Sequence, residues 1–112
     1  MKYAIPVSGG ILSPHFGHCE QFALIDVDNT SKKILRKEMV DAPPHQPGLL
    51  PVWLAERNVN TVLAGGMGAS AQSLFQEKQI KVIVGVSERD PEAAVLNHLN
   101  GNLETGSNVC DH

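Results

Sequence analysis

Thr61-Val62-Leu63-Ala64-Gly65-Gly66-Met67-Gly68 is the stretch on which the fold turns. Its first four residues are short, apolar or β-branched and read as a buried strand, which the glycines then stop. Ala71, Leu74 and Phe75 follow at helical spacing, predicting a helix with these three on one face. A strand thus runs through a glycine turn directly into a helix. Downstream, Ile80 to Val84 is a further strand. Asp90-Pro91 is a cap and first-position pair for a last helix, with Val95, Leu96 and Leu99 as its inward stripe.

Upstream, Leu50, Trp53 and Leu54 predict a helix over Leu49 to Arg57, in which Pro51 is tolerable only in the first turn. Tyr3, Ile5 and Val7 alternate with Lys2, Ala4 and Pro6, the period of a strand. Proline avoids the middle of a sheet, so Pro6 is expected at the end of that strand or at a bulge. Ser8 to Pro14 reads as a loop. Phe22 to Val27 and Lys33 to Val40 form a hairpin through the turn Asp28-Asn29-Thr30-Ser31. The order is βββαβαβα. This predicts an α/β fold, a mixed five-stranded sheet with helices on its faces. Residues 1–100 are expected to form one domain and residues 101–112, rich in Asn and Gly, a flexible C-terminal tail.

Composition removes several functional classes. The net charge is -3 and no basic cluster exists, so the electrostatic footprint of a nucleic-acid binder is missing. The few aromatic residues are scattered and offer no base-stacking platform. No apolar run approaches the roughly 20 residues of a membrane span. The N-terminal residues are too short and proline-broken for an export signal, so the cytoplasm is the expected compartment and free thiols the expected state.

Chemistry concentrates around the two cysteines. Cys19 closes the run His15-Phe16-Gly17-His18-Cys19, and Cys110 opens Cys110-Asp111-His112. His45 sits in the Pro/Gly-rich segment between Asp41 and Gly48. Thiolate and imidazole coordinate soft and borderline metals and metal–sulfur clusters. His-x-x-His-Cys matches no standard zinc spacing and needs further ligands; Cys110 and His112 reach the same centre only if the tail folds back. The structural alternative is a buried cysteine acting as a small hydrophobe beside turn-capping histidines. Gly65, Gly66, Met67 and Gly68 are a candidate anion cradle, because glycines permit close backbone approach and a helix N-terminus offers unpaired N–H groups. The same glycines also suit a plain strand-to-helix turn. No Gly-Lys-Ser/Thr follows, so this is not a P-loop. A nucleophile–base pair of Cys19 with His18 or His45, and a carboxylate metal site from Asp26, Asp28 and Asp41, are the catalytic alternatives. Two of those carboxylates lie at a hairpin turn, where Asp serves the backbone.

The sequence resembles the dinitrogenase iron–molybdenum cofactor biosynthesis family, the small domains related to NifX, NafY and the C-terminal part of NifB. The resemblance rests on Ala4-Ile5-Pro6-Val7, Ser13-Pro14-His15-Phe16-Gly17-His18-Cys19 with Phe22 after it, Gly65-Gly66-Met67-Gly68, and the βββαβαβα order. It covers Lys2 to Leu99 and is nearest the stand-alone members, including the orange-protein type. It implies a ribonuclease H-like fold and a non-catalytic role in holding or passing on metal–sulfur clusters of the Mo-Fe-S or Mo-Cu-S type. It further implies that Cys19 and the Phe16-Gly17-His18 segment line the site, with the Gly65 to Gly68 turn near it. With the residue reading, the expected cofactor-binding positions are His15, Phe16, Gly17, His18, Cys19, His45, Gly65, Gly66, Met67 and Gly68, and the expected metal donors Cys19, His18, Cys110 and His112; His45, Cys110 and His112 come from the residues and not from the resemblance. A cluster-delivery or acceptor protein is the implied partner. Two other readings stay open: a cluster-free regulatory or partner-binding domain, and a small Cys/His enzyme.

Overall fold

The structure, a computed structural model, describes residues 1–14, 16, 19–44, 46 and 48–106. Strand β1 (Lys2–Ser8) is followed by the two-residue β2 (Ile11–Leu12), then by β3 (Gln21–Asp28) and β4 (Lys33–Asp41). Helix α1 (Leu49–Glu56), β5 (Thr61–Leu63), α2 (Ala69–Glu77), β6 (Lys81–Ile83) and α3 (Pro91–Leu99) complete the order. The five longer strands lie in the order β4-β3-β1-β5-β6. Strands β1, β3 and β4 pair antiparallel, while β1, β5 and β6 run parallel. The result is a mixed sheet with helices on its faces, the ribonuclease H-like arrangement.

Strand β2 adds to the expected five. Ser8 to Pro14 is not loop throughout, because Gly9-Gly10 makes a two-residue hairpin turn that pairs Val7 with Leu12 and Ser8 with Ile11. Pro6 also differs from expectation: it lies inside β1, opposite Phe22, with no register shift. An extended residue points its N and its C=O to the same side. The Pro6 carbonyl accepts from Ser13 N at 2.8 Å, so its missing N–H faces the side where β5 has already ended, and no β1–β3 bond is lost. The β3–β4 pairing carries one irregularity, at Asp26/Val27. Leu35 is the extra residue there, and it stands 67% exposed.

Alternation along β1 splits the core into two layers. Tyr3, Ile5 and Val7 face α3, packing with Ala23, Ile25 and Val95. Ala4 faces the other way, into a layer that holds Phe22, Leu54 of α1 and Phe75 of α2. Two helical faces differ in detail from the spacing. Leu74 is 36% exposed, and Phe75 alone is fully buried on α2. On α3, Ala94 and Val95 point inward with Leu99 beside them, and Leu96 stays outside the core cluster. The rotation brings His98 under the sheet, where Tyr3 Oη and His98 Nδ1 lie 2.6 Å apart. Burial, with a smaller contribution from Lys81, lowers the His98 pKa, and burial raises that of Tyr3. Both shifts favour a neutral imidazole accepting from the phenol, which assigns the ring proton to Nε2.

Candidate functional site

The parallel strands β1, β5 and β6 share one C-terminal edge, the place where open α/β sheets offer their backbone to ligands. Three segments meet there. From β1 the chain turns through β2 into Ser13, Pro14, Phe16 and Cys19; from β5 it enters Gly65-Gly66-Met67-Gly68; from β6 it continues through Val84 and Gly85 to Arg89.

The first two segments are in direct contact. Phe16 N donates to Gly66 O at 3.1 Å. A β-carbon on Gly65 would stand 3.3 Å from both the Cα and the carbonyl oxygen of Pro14, a tight contact that would push the loop back by a few tenths of an ångström. Phe16 anchors the loop from below. Its buried ring sits edge-on to Phe22 and Phe75, with centroids 5.6 and 5.4 Å away, and Met67 is buried in the same layer. Phe16 and Met67 therefore face the core, and the backbone of their segments faces the edge.

Cys19 packs against this layer and is half-buried. Desolvation pushes its thiol up to about 11, with backbone hydrogen bonds from Cys19 and Val7 offsetting only part of the effect. Such a thiol is protonated at neutral pH. It is a poor nucleophile, and a metal must displace its proton in order to bind. Glu20 pins the position beside it: its N–H donates to Val7 O at 3.0 Å, and its carboxylate accepts from Gly9 N at 2.7 Å. His15, Gly17, His18, His45, Cys110 and His112 lie outside the described residues.

The third segment completes a cleft of about 490 Å³. Leu12 and Pro14 form one side, Gly65 and Gly85 the base, and Val86, Ser87 and Arg89 the other side. The glycines of the base are joined, Gly85 N donating to Gly65 O at 3.0 Å. Leu12 N donates to Arg89 O at 2.8 Å, which ties the two sides together. The chain after α3 then returns to this edge. Thr105 bridges Val86, Leu103 packs on the α3 layer, and Gly106, also at the cleft, donates its N–H to Gly85 O at 2.6 Å. Of the residues singled out from the sequence, only Gly65 lines this cleft among the described residues. Gly85, Ser87, Arg89 and Gly106 went unnoticed, although Gly85 follows a short apolar strand just as Gly65 does.

Helix α2 begins at Gly68 with no side-chain cap and no acidic residue in its first turn. Among the described residues, no three His, Cys, Asp or Glu side chains gather closely enough to hold a metal ion. Asp28 accepts from Thr30 N and Ser31 Oγ to shape the hairpin turn, and Asp41 accepts from Gln21.

A sequence profile described as dinitrogenase iron-molybdenum cofactor matches residues 1–101. The chain belongs to that family. An uncharacterized protein of Methanocaldococcus jannaschii is 32% identical over 109 residues, spanning 93% of this chain and 90% of its own length. Among solved structures, that of PH0822 superposes with a TM-score of 0.86 at 27% identity, over 94% of each chain. The apo orange protein of Desulfovibrio gigas gives 0.74 at 24% identity, over 96% of this chain and 93% of that one, and so shares the fold. Membership of the dinitrogenase iron–molybdenum cofactor family brings with it a non-catalytic role connected with that cofactor's biosynthesis. Among the described residues, no helix is long and apolar enough to cross a membrane.

Proposed function

We propose that this protein is a carrier or assembly protein that binds a molybdenum- and/or iron-containing sulfide cluster, of Mo-Fe-S or Mo-Cu-S type, and passes it to an acceptor protein. One observation carries the reading within the family. The Phe16 segment and the Gly65 to Gly68 turn, far apart in sequence, meet at the C-terminal edge of the parallel strands and border a cleft there. The cargo rests on backbone N–H groups near the glycine turn and is held by His15, His18 and His45.

Cys19, His18, Cys110 and His112 are the proposed direct donors. Gly106 stands at the cleft, and Cys110 follows within about 13 Å of extended chain. The raised Cys19 thiol argues for reversible holding by charge and hydrogen bonds before any thiolate bond forms, as a protein that releases its cargo requires. Lowering the pH distinguishes the two modes: protonated histidines strengthen the hold on an anionic cluster but weaken direct imidazole ligation.

The test is elemental analysis and an absorption spectrum of protein purified anaerobically from its native host. Charge-transfer bands between about 300 and 500 nm, with stoichiometric molybdenum or iron, are expected from sulfide ligation. Colourless protein that takes up no metal sulfide on reconstitution overturns the proposal and leaves the partner-binding reading in its place.

A further inference from the structure

We propose that Arg89 is the charge-selecting group of the cleft, and that the cleft takes large, weakly hydrated sulfide-rich anions in preference to oxyanions. The inference rests on the carrier reading above and adds a specificity residue to it.

Arg89 is the one charged residue among the described residues lining the cleft. Its backbone is fixed by the bond from Leu12 N to its carbonyl, while its side chain is exposed and has no carboxylate within ion-pairing distance among the described residues. Neither acidic neighbour forms an ion pair with it. Glu88 Oε1 accepts from Asp90 N at 3.1 Å, and Glu88 lines a separate hollow with Asn97 and Asn102. Asp90 is the N-cap residue of α3, makes no side-chain capping bond and forms no ion pair with Arg89. The guanidinium is thus free to meet an anion entering between Pro14 and Val86.

The remaining surface decides which anion. Apart from Arg89 and the Ser87 hydroxyl, the side chains are Ile11, Leu12, Pro14 and Val86, and the rest is glycine. A compact oxyanion such as phosphate or molybdate carries strongly hydrated oxygens. Against Ile11, Leu12, Pro14 and Val86 these oxygens give up hydration that hydrocarbon does not restore. A thiometallate spreads the same charge over large, polarisable sulfurs, loses less hydration and packs against apolar side chains. The planar guanidinium, itself weakly hydrated, provides several donors to such an anion at one face.

The full-length apo protein is titrated anaerobically with tetrathiomolybdate, and bound anion is read by equilibrium dialysis and absorption. Molybdate and inorganic phosphate serve as competitors. Arg89→Ala is expected to weaken tetrathiomolybdate binding about tenfold or more, the size of a charge-assisted contact, and Arg89→Lys to recover part of it. Ser87→Glu, at an exposed position, introduces a carboxylate beside the guanidinium and is expected to weaken binding comparably. Molybdate and phosphate are expected to compete at least about tenfold less well than the thioanion. Thermal unfolding of each variant matching the parent shows that the fold is retained. If the parent binds tetrathiomolybdate and Arg89→Ala binds it within twofold, the assignment of Arg89 falls while the carrier reading stands. Equal competition by molybdate overturns the sulfide preference. If the parent retains neither tetrathiomolybdate nor any other metal sulfide, both proposals fall together.

Discussion

Gly65 and Gly85 occupy equivalent places, each just past a parallel strand, and are bonded to one another at the base of the cleft. Yet they are glycine for different reasons. Gly65 avoids the Pro14 backbone 3.3 Å away and holds a loop that is anchored in the α1–α2 layer through Phe16. Gly85 has a φ of +76°, and a β-carbon there would fall 2.1 Å from Gly106 O. The wall beside it belongs to the α3 layer, through Val86 and Leu103. The cleft therefore has two glycine-centred halves: the Gly65 half leans on the α1–α2 layer through Phe16 and on the α3 layer through Leu12, the Gly85 half on the α3 layer through Val86 and Leu103, and each is open to separate perturbation.

Gly85→Ala attacks the second half and should have the largest effect. The clash and the left-handed backbone together are expected to cost about 2–4 kcal/mol and to release residues 103–106 from the sheet edge. Thermal denaturation and the loss of amide-exchange protection at Gly106 measure it; unchanged protection there would refute the pairing. Gly65→Ala attacks the first half through a milder contact, and about 1–3 kcal/mol is expected as the Pro14 loop yields. Exchange should quicken at Phe16 N while Gly106 stays protected. If both amides respond alike in the two variants, the halves are not separate.

Titration offers smaller, fold-preserving versions of the same contrast. The Cys19 thiol is raised from 9.0 to about 11, so the fold holds the proton that the unfolded chain has given up. The associated stability is fully present below pH 9.0 and is lost as the pH climbs through about 11. Alkylation of Cys19 by iodoacetamide should accordingly keep rising with pH beyond 9.0 and level off only near 11; a plateau at neutral pH would contradict the burial. His98 works in the opposite direction on the α3 layer. Its pKa lies below the ordinary 6.5, so the unfolded chain takes up the proton first. Its contribution is present above pH 6.5 and lost as the pH falls through the folded value. His98→Gln should flatten the acid limb of a stability–pH curve; an unaltered limb would show that burial does not hold the His98 imidazole neutral.

Most of the fold was legible because its signals are local. Period-two alternation at Tyr3, Ile5 and Val7, the Asp90-Pro91 start and the strand–glycine–helix run each act over a few residues. The misses have a shared cause in tertiary context. Pro6 sits inside β1 because β5 is short, which no local pattern announces. Leu74 and Leu96 follow helical spacing, yet the helices are rotated so that Phe75, Ala94 and Val95 take the core. The site was legible on one side only. Chemistry-bearing residues drew attention to the Cys19 loop, while the opposing wall depends on Gly85 meeting Gly106, a contact between two unreactive residues. Arg89 is one cation among the chain's nine, and its place in the lining of the cleft, bonded through its carbonyl to Leu12, distinguishes it.

The irregular step at Asp26/Val27 has a consequence for how copies of this chain coexist. Strand β4 is the sheet's long outer margin, and an unbroken ladder there would invite a neighbour to dock main chain to main chain. Pushing Leu35 out of register between Ile34 and Arg36, with Lys33 and Lys37 close by, interrupts that ladder and sets charged side chains along it. The kink thereby works as a guard against fibril-like stacking, at the expense of one leucine left in water.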